Sequence, residues 1–183
     1  MKRIFFIRHF ESIANRNNII SGQADISVDD CVINLQKHQD SQFYEVVIIS
    51  SPLIRCIKTA ETLKQKISST KDIIIDHRLI ERGMGIWENE RKEIIQKQYP
   101  EYFSERRFIY YKTPPKGESF ELFSKRVEAL LIDLNYLLNN NDIILCSHNQ
   151  TLKLLYAIIK KIPLDEFWYE KDFKNGVLEE ITM

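Results

Sequence analysis

Four short apolar runs divide this chain: Ile4-Phe5-Phe6-Ile7, Val46-Val47-Ile48-Ile49, Ile73-Ile74-Ile75 and Ile143-Ile144-Leu145-Cys146. Each is too short for a helix, is rich in β-branched or aromatic residues, and reads as a buried strand. Longer stretches with helical signals lie between them. Pro52 opens one in which Leu53, Ile57, Ala60, Leu63 and Ile67 form a single apolar stripe. Another runs from Glu118 to about Leu138, with Phe120, Phe123, Val127, Leu130, Leu131, Leu134 and Leu138 on or near one face, and ends at three consecutive asparagines. A further helix is predicted over 151–160. Strands that alternate with helices in this way predict a three-layer α/β fold, a mostly parallel central sheet with helices on both faces. The 183 residues contain no linker, repeat or low-complexity tract and are expected to form a single domain over 1–183.

The remaining segments are less regular. Residues 12–20 read as a short helical or irregular piece and 21–25 as a loop. Ser27-Val28-Asp29-Asp30 has the form of a capping box and predicts a helix over about 28–39. Residues 90–108 read as a charged helical segment broken at Tyr99-Pro100. Thr113-Pro114-Pro115-Lys116-Gly117 is the strongest breaker, and 177–182 reads as an edge strand.

The strand ends carry the chemistry. Arg8 and His9 follow the first strand, with Asn15 shortly after; Arg55 follows the second, Glu81 the third and His148 the fourth. In open α/β sheets ligands bind beyond the carboxyl ends of the strands, where helix starts favour anions. Taken alone, Arg8 and His9 read first as polar caps on a surface strand. Two histidines and two arginines at equivalent topological positions read as a site. Because Lys plus Arg and Asp plus Glu are 26 each, no overall field draws in nucleic acid or an anionic membrane, and an anion site must be local.

Cys31, Cys56 and Cys146 have neither pairing nor metal-type spacing, which fits free thiols in a reducing cytoplasm. Neither secretion nor a membrane span is expected. A cysteine-based phosphatase would need Arg six residues after Cys, where this chain has Lys37, Thr62 and Leu152. There is no Walker loop, Gly-x-Gly-x-x-Gly, clustered zinc ligand set or serine-hydrolase elbow.

Arg8-His9-Phe10-Glu11-Ser12 with Asn15 resembles the Arg-His-Gly-Glu/Gln-Ser/Thr signature of the histidine phosphatase superfamily, which includes the cofactor-dependent phosphoglycerate mutases. Ser50-Ser51-Pro52-Leu53 with Arg55 and Thr59-Ala60-Glu61 resembles the second motif of that family. Leu79-Ile80-Glu81 and Gly85-Ile86-Trp87-Glu88 resemble its acid-bearing loop, Gly117-Glu118-Ser119 its later Gly-Glu-Ser element, and Cys146-Ser147-His148-Asn149 its second-histidine motif. The matches span most of the chain in order. The resemblance implies that His9 attacks phosphorus and becomes a transient phosphohistidine, that Arg8, Arg55 and His148 with the Asn15 amide hold the phosphoryl oxygens, and that Glu81 is the acid and base. Ser21, Gly22 and Asn149 join the substrate-binding set. No metal and no cofactor are implied.

The expected activity is therefore metal-independent hydrolysis of a small phosphate ester, in the compact broad-specificity and α-ribazole phosphatase branch. Mutase-type phosphoryl transfer is one alternative, although the chain lacks room for the insertion typical of mutases. A non-catalytic phosphate-binding or regulatory module is another, motivated by Phe10 where the family has glycine. That substitution predicts a turn with negative φ, a displaced loop, or a ring over the pocket. Asn149 also stands for a usual glycine and tolerates the left-handed region. Glu81 beside Arg82 reads alternatively as a surface ion pair, Arg106-Arg107 as a charged helical face, and Trp87, Tyr110 and Tyr111 as core or lid aromatics. The expected partner is a small phosphate ester, with no nucleic acid and no membrane, and a homodimer is left open.

Overall fold

A computed structural model describes residues 3–28, 46–67, 69, 71–168 and 171–182. Its elements in chain order are β1 (Ile4–Arg8), α1 (Ile13–Arg16), β2 (Val47–Ser50), α2 (Ile54–Lys66), β3 (Ile74–Ile75), α3 (Lys92–Gln98), β4 (Phe103–Ser104), β5 (Arg107–Phe108), α4 (Phe120–Leu137), β6 (Ile143–Ser147), α5 (Asn149–Lys160), α6 (Leu164–Phe167) and β7 (Leu178–Ile181). Short 3-10 turns occupy His77–Leu79, Gly85–Trp87 and Pro100–Tyr102.

The central sheet has the order β3-β2-β6-β1-β7. Its first four strands are parallel, and the edge strand β7 runs antiparallel beside β1. Side chains alternate across β1. Ile4 and Phe6 point into a core with Phe123, Val127, Leu130 and Leu134 of α4 and Leu152 and Leu155 of α5. Phe5 and Ile7 point to the opposite face, against Cys56, Ala60 and Leu63 of α2. Two covered faces explain why the strands read as unbroken apolar runs, and they give the predicted three layers. Among the described residues, no helix is long and apolar enough to cross a membrane.

The helix starts follow local chemistry. Ser119 caps α4 by accepting from Leu122 N at 3.2 Å. Leu53 precedes α2 without a side-chain cap, and Asp25 from a distant loop takes its place, accepting from Ile54 N at 2.7 Å. The buried stripe of α2 passes through Cys56 rather than the predicted Ile57, which is half-buried.

As read, residues 12–20 hold a short helix, the four-residue α1, and then irregular chain in which Ile19 bridges to Arg91. Two expectations are corrected. β3 is two residues long and both its isoleucines are exposed, as fits a sheet edge. The segment after Pro100 is not helical: β4 and β5 form a hairpin whose loop residues, Glu105 and Arg106, both have positive φ (47° and 65°). Aromatic packing decides this, since Phe103 and Phe108 both pack against the fully buried Trp87. The helix predicted over 28–39, with Cys31 and His38, lies outside the described residues apart from Val28.

Candidate active site

Parallel pairing of β1 and β2 with β6 brings three motif-bearing strand ends side by side. His9 leaves β1 with its backbone N–H donating to the Ser147 carbonyl at 3.0 Å, and its own carbonyl accepts from Asn175 Nδ2 at 2.7 Å. Its ring Nδ1 lies 2.6 Å from the Phe10 carbonyl oxygen. A carbonyl only accepts, so Nδ1 carries the proton and Nε2 keeps its lone pair. Burial, with the positive charges of Arg55 and Arg8, pushes the His9 pKa well below its usual value, so the ring is neutral at pH 7.

His148, the residue before α5, sets its ring 5.2 Å from that of His9, centroid to centroid. Arg55 Nε donates to His148 Nδ1 at 3.2 Å, which places the His148 proton on Nε2, where it is donated to Ser51 Oγ at 2.8 Å. Burial, Arg55 and His9 push this histidine down as well. Cys56 Sγ sits 3.4 Å from Nε2, and burial raises its pKa, so it is a thiol.

The cations are held by backbone. Arg55 is 1% exposed and donates from Nη1 to the Ala24 carbonyl and from Nη2 to the Gly22 carbonyl, both at 2.7 Å. Arg8 donates from Nη1 to the Phe173 carbonyl at 3.0 Å, while its buried Nε has no hydrogen-bond partner among the described residues. Burial lowers both pKa values from a starting point so high that the charges remain. Asn15 Oδ1 accepts from Ser12 N and Ser12 Oγ, at 3.1 and 2.9 Å, leaving its Nδ2 group as the donor it offers the cavity. Gly22 has φ +47°, and a Cβ there would lie 2.3 Å from Glu88 Oε1. That carboxylate is fixed by Gln23 N at 2.9 Å and Met84 N at 2.8 Å.

Glu81 sits across from these groups. Its Oε1 is 3.3 Å from Thr151 N and Thr151 Oγ1, and its Oε2 is 3.3 Å from Gln150 N, so the carboxylate faces the start of α5. Its Oε1 also accepts from the Arg82 backbone N–H at 3.0 Å, but it makes no ion pair with that residue, whose buried guanidinium donates to the carbonyls of Glu118, Tyr110 and Lys112. Burial pushes the Arg82 pKa down to about 10. Arg126 secures the same loop, donating to the carbonyls of Arg78, Ile80 and Glu81 and to both oxygens of Glu118.

One cavity of about 570 Å³ is lined by all nine residues that the sequence analysis assigned to the site: Arg8, His9, Asn15, Ser21, Gly22, Arg55, Glu81, His148 and Asn149. Asn149 has negative φ and fastens the C-terminal segment, with Nδ2 donating to Asp172 at 2.7 Å and Oδ1 accepting from Phe173 N at 3.0 Å. Phe10 does not line the cavity. Its φ is negative and its ring is 3% exposed in the core facing α2, while its N–H donates to Thr59 Oγ1 at 2.9 Å. Trp87 and Tyr110 are core residues, whereas Tyr111 is exposed.

Other cavity residues were not foreseen. Lys92, Gln150, Lys153, Trp168, Asp172 and Asn175 are among them, and they are joined at the rim by Arg107, which the sequence offered as a contact to a substrate acid beside the favoured reading of a charged helical face, and which a hairpin, not a helix, carries. Only Asn175-Gly176 carried a sequence signal, as turn residues ahead of the edge strand. The donor set can hold a dianionic tetrahedral group beside a neutral imidazole, with a carboxyl group across from it. Among the described residues, no three His, Cys, Asp or Glu side chains cluster as metal ligands.

A family model described as the histidine phosphatase superfamily, branch 1, matches residues 4–183. The putative phosphoserine phosphatase 2 of Hydrogenobacter thermophilus is 27% identical over all of this chain and 90% of its own length. The adenosylcobalamin/alpha-ribazole phosphatase of Escherichia coli is 26% identical, covering 91% of this chain and 83% of its own. The solved structure of a mycobacterial glucosyl-3-phosphoglycerate phosphatase complexed with VO3 superposes with a TM-score of 0.80 over 98% of this chain and 92% of that one, at 22% identity, a likeness of fold.

Proposed function

The chain belongs to branch 1 of the histidine phosphatase superfamily and is a phosphatase of small metabolites, and we propose that it hydrolyses a phosphomonoester through a phosphohistidine on His9. The observation that carries this reading is the His9 tautomer: Nδ1 donates to the Phe10 carbonyl, so the nucleophilic lone pair on Nε2 is available without prior loss of a proton. In the first step Nε2 bonds to phosphorus as the ester P–O bond breaks, and a protonated Glu81 gives its proton to the leaving oxygen. In the second, water attacks phosphorus, its proton passes to Glu81, and the P–N bond electrons return to Nε2.

Arg8 through its unpartnered Nε, Arg55 through its remaining N–H groups, Asn15 and His148 hold the phosphoryl oxygens. The His148 Nε2–H, now on Ser51, is the donor that an oxygen takes over. Such fixed donors stabilise the spread charge of the transition state. We place the enzyme in the cytoplasm, acting as one domain over 1–183 on a small ester rather than on nucleic acid, with the whole site drawn from one chain even in a homodimer.

Hydrolysis of an aryl phosphate in EDTA, by wild type and His9→Ala in parallel, tests the reading. Turnover in EDTA that falls by about 10⁴-fold or more in the variant is expected, in the range of a lost nucleophile. Equal activity in both proteins would remove His9 as nucleophile. Transfer of phosphate to a second hydroxyl instead of water would make the enzyme a mutase.

A further inference from the structure

The pairing of β1 with β6 ends with the His9 N–H on the Ser147 carbonyl, and one residue later the chain is handed to α2. The Phe10 N–H donates to Thr59 Oγ1 at 2.9 Å, and that hydroxyl donates its own proton to the Arg55 carbonyl at 2.7 Å, one turn earlier on the helix. A hydroxyl has one proton, so with that proton committed Oγ1 faces Phe10 as an acceptor. Thr59 is fully buried, which shields the bond from water. The Phe10 ring meets the same helix, buried among Cys56, Ala60 and Leu63 with Val28 and Val46 beside them.

Backbone and side chain of residue 10 are thus both registered on α2. The other backbone polar group of Phe10 is its carbonyl, and this is the group that accepts from His9 Nδ1 at 2.6 Å. A carbonyl turned elsewhere would leave Nδ1 without that acceptor, and the ring proton would be free to sit on Nε2, where it blocks attack on phosphorus. The second histidine is held from the same helix, since Arg55 Nε donates to His148 Nδ1 at 3.2 Å. One helix therefore governs the tautomers of both rings, and the bond from Thr59 to the Arg55 carbonyl joins the two residues through which it does so.

We propose that Phe10 and Thr59 are positioning residues for the nucleophile: the ring seated on α2 and the N–H held by the threonine hydroxyl aim the Phe10 carbonyl at His9 Nδ1 and keep the attacking lone pair on Nε2. This role rests on the phosphohistidine reading and deepens it. It also gives a bulky ring a task where the family signature has glycine. Glycine leaves the backbone free to turn, whereas a ring packed in the core admits one path.

Two pairs of variants test it, Thr59→Val against Thr59→Ser and Phe10→Gly against Phe10→Leu. Each is read by its kinetics on an aryl phosphate and by NMR of the His9 ring nitrogens, assigned by their absence from His9→Ala. Valine has the shape of threonine without the hydroxyl, so Thr59→Val removes the hold and leaves the core filled. Its kcat is expected to fall by about tenfold or more with KM within about threefold, and the His9 proton to move in part to Nε2. Thr59→Ser keeps the hydroxyl and should recover the tautomer and a kcat within about twofold of wild type. Phe10→Gly is expected to follow Thr59→Val, and Phe10→Leu to restore the tautomer and most of kcat. A ring that only fills the core would lower the melting temperature in both Phe10 variants and move neither the tautomer nor the kcat of the folded enzyme, which would overturn its part. Thr59→Val that keeps kcat within about twofold of wild type, or that leaves the His9 proton on Nδ1, would overturn the proposal even where Phe10→Gly does not fold. The NMR readout needs no turnover, so the two readings fail separately. A proton that moves to Nε2 in Thr59→Val, in a protein that hydrolyses no ester, sustains the positioning and sinks the phosphohistidine, while an unmoved proton in an enzyme that loses kcat refutes the positioning alone.

Discussion

At the floor of the cavity, Arg55 spends three donors on two carbonyls and a histidine, and His9 is gripped through its N–H, its carbonyl and its ring. At the rim, Lys92 and Arg107 extend from short elements into solvent, on the seven-residue α3 and on a strand of two residues. Floor residues are buried and positioned by the central sheet, so they are organised before anything binds. Rim residues stand exposed on short elements. A phosphatase benefits from this division, because buried, fixed donors lower the transition state while exposed ones set affinity.

The division can be broken most sharply at Arg55. Arg55→Ala strands the Gly22 and Ala24 carbonyls and frees His148, so kcat/KM is expected to fall by about 10³-fold or more, with a loss of roughly 2–4 kcal/mol in stability. Kinetics and denaturant titration together check it, and a near-normal kcat would mean that the floor is not organised in advance. Glu81→Gln comes next. It keeps the shape and one acceptor oxygen of the side chain but cannot give or take the proton, so kcat is expected to fall by about 10²- to 10⁴-fold for alkyl esters and much less for an aryl ester with a good leaving group. An equal loss on both would assign Glu81 to positioning.

Acid should weaken the floor selectively. His9 and His148 are held neutral in the folded state, their pKa values lying well below 6.5, while the unfolded chain protonates both near 6.5. Between those values the unfolded state binds more protons, so stability is full above about pH 6.5 and drops as pH falls below it, by up to about 1.4 kcal/mol per pH unit for each histidine. Urea midpoints from pH 7 to pH 5 read this slope, and His9→Asn should make it shallower. An unchanged slope would mean that other groups govern acid stability. The smallest effect belongs to the rim: Arg107→Ala is expected to raise KM by no more than about tenfold with kcat within about twofold, the pattern of lost ground-state binding. A large fall in kcat would move Arg107 into the reacting set.

The same division accounts for what the sequence revealed. Floor residues sit where apolar runs end, and the alternation of strands and helices makes those ends neighbours, so Arg8, His9, Arg55, Glu81 and His148 could be found without coordinates. Lys92 could not, and Arg107 was only the second reading of Arg106-Arg107, because the path of 90–108 depends on Trp87 gathering Tyr99, Tyr102, Phe103 and Phe108 around itself. Tertiary packing there overrides a charged stretch that reads as helical. Asn175 and Asp172 were hidden for a related reason: they reach the cavity only because β7 pairs with β1 across the length of the chain. Phe10 was the ambiguous case, and the core beside α2 resolved it, since its ring is pulled into that layer and away from the cavity that His9 lines.

β1 lies between β6 and β7, so among the described strands one made early is clamped by two made more than a hundred residues later. At roughly 5–20 residues per second, β6 leaves the ribosome on the order of ten seconds after β1, and β7 later still. Until then the N–H and the carbonyl of His9 have no partners, and His148 and Asn175 do not yet exist in the nascent chain. The cavity is therefore complete only once Asn175 has been made, and a nascent chain that stops short of it lacks the donor to the His9 carbonyl.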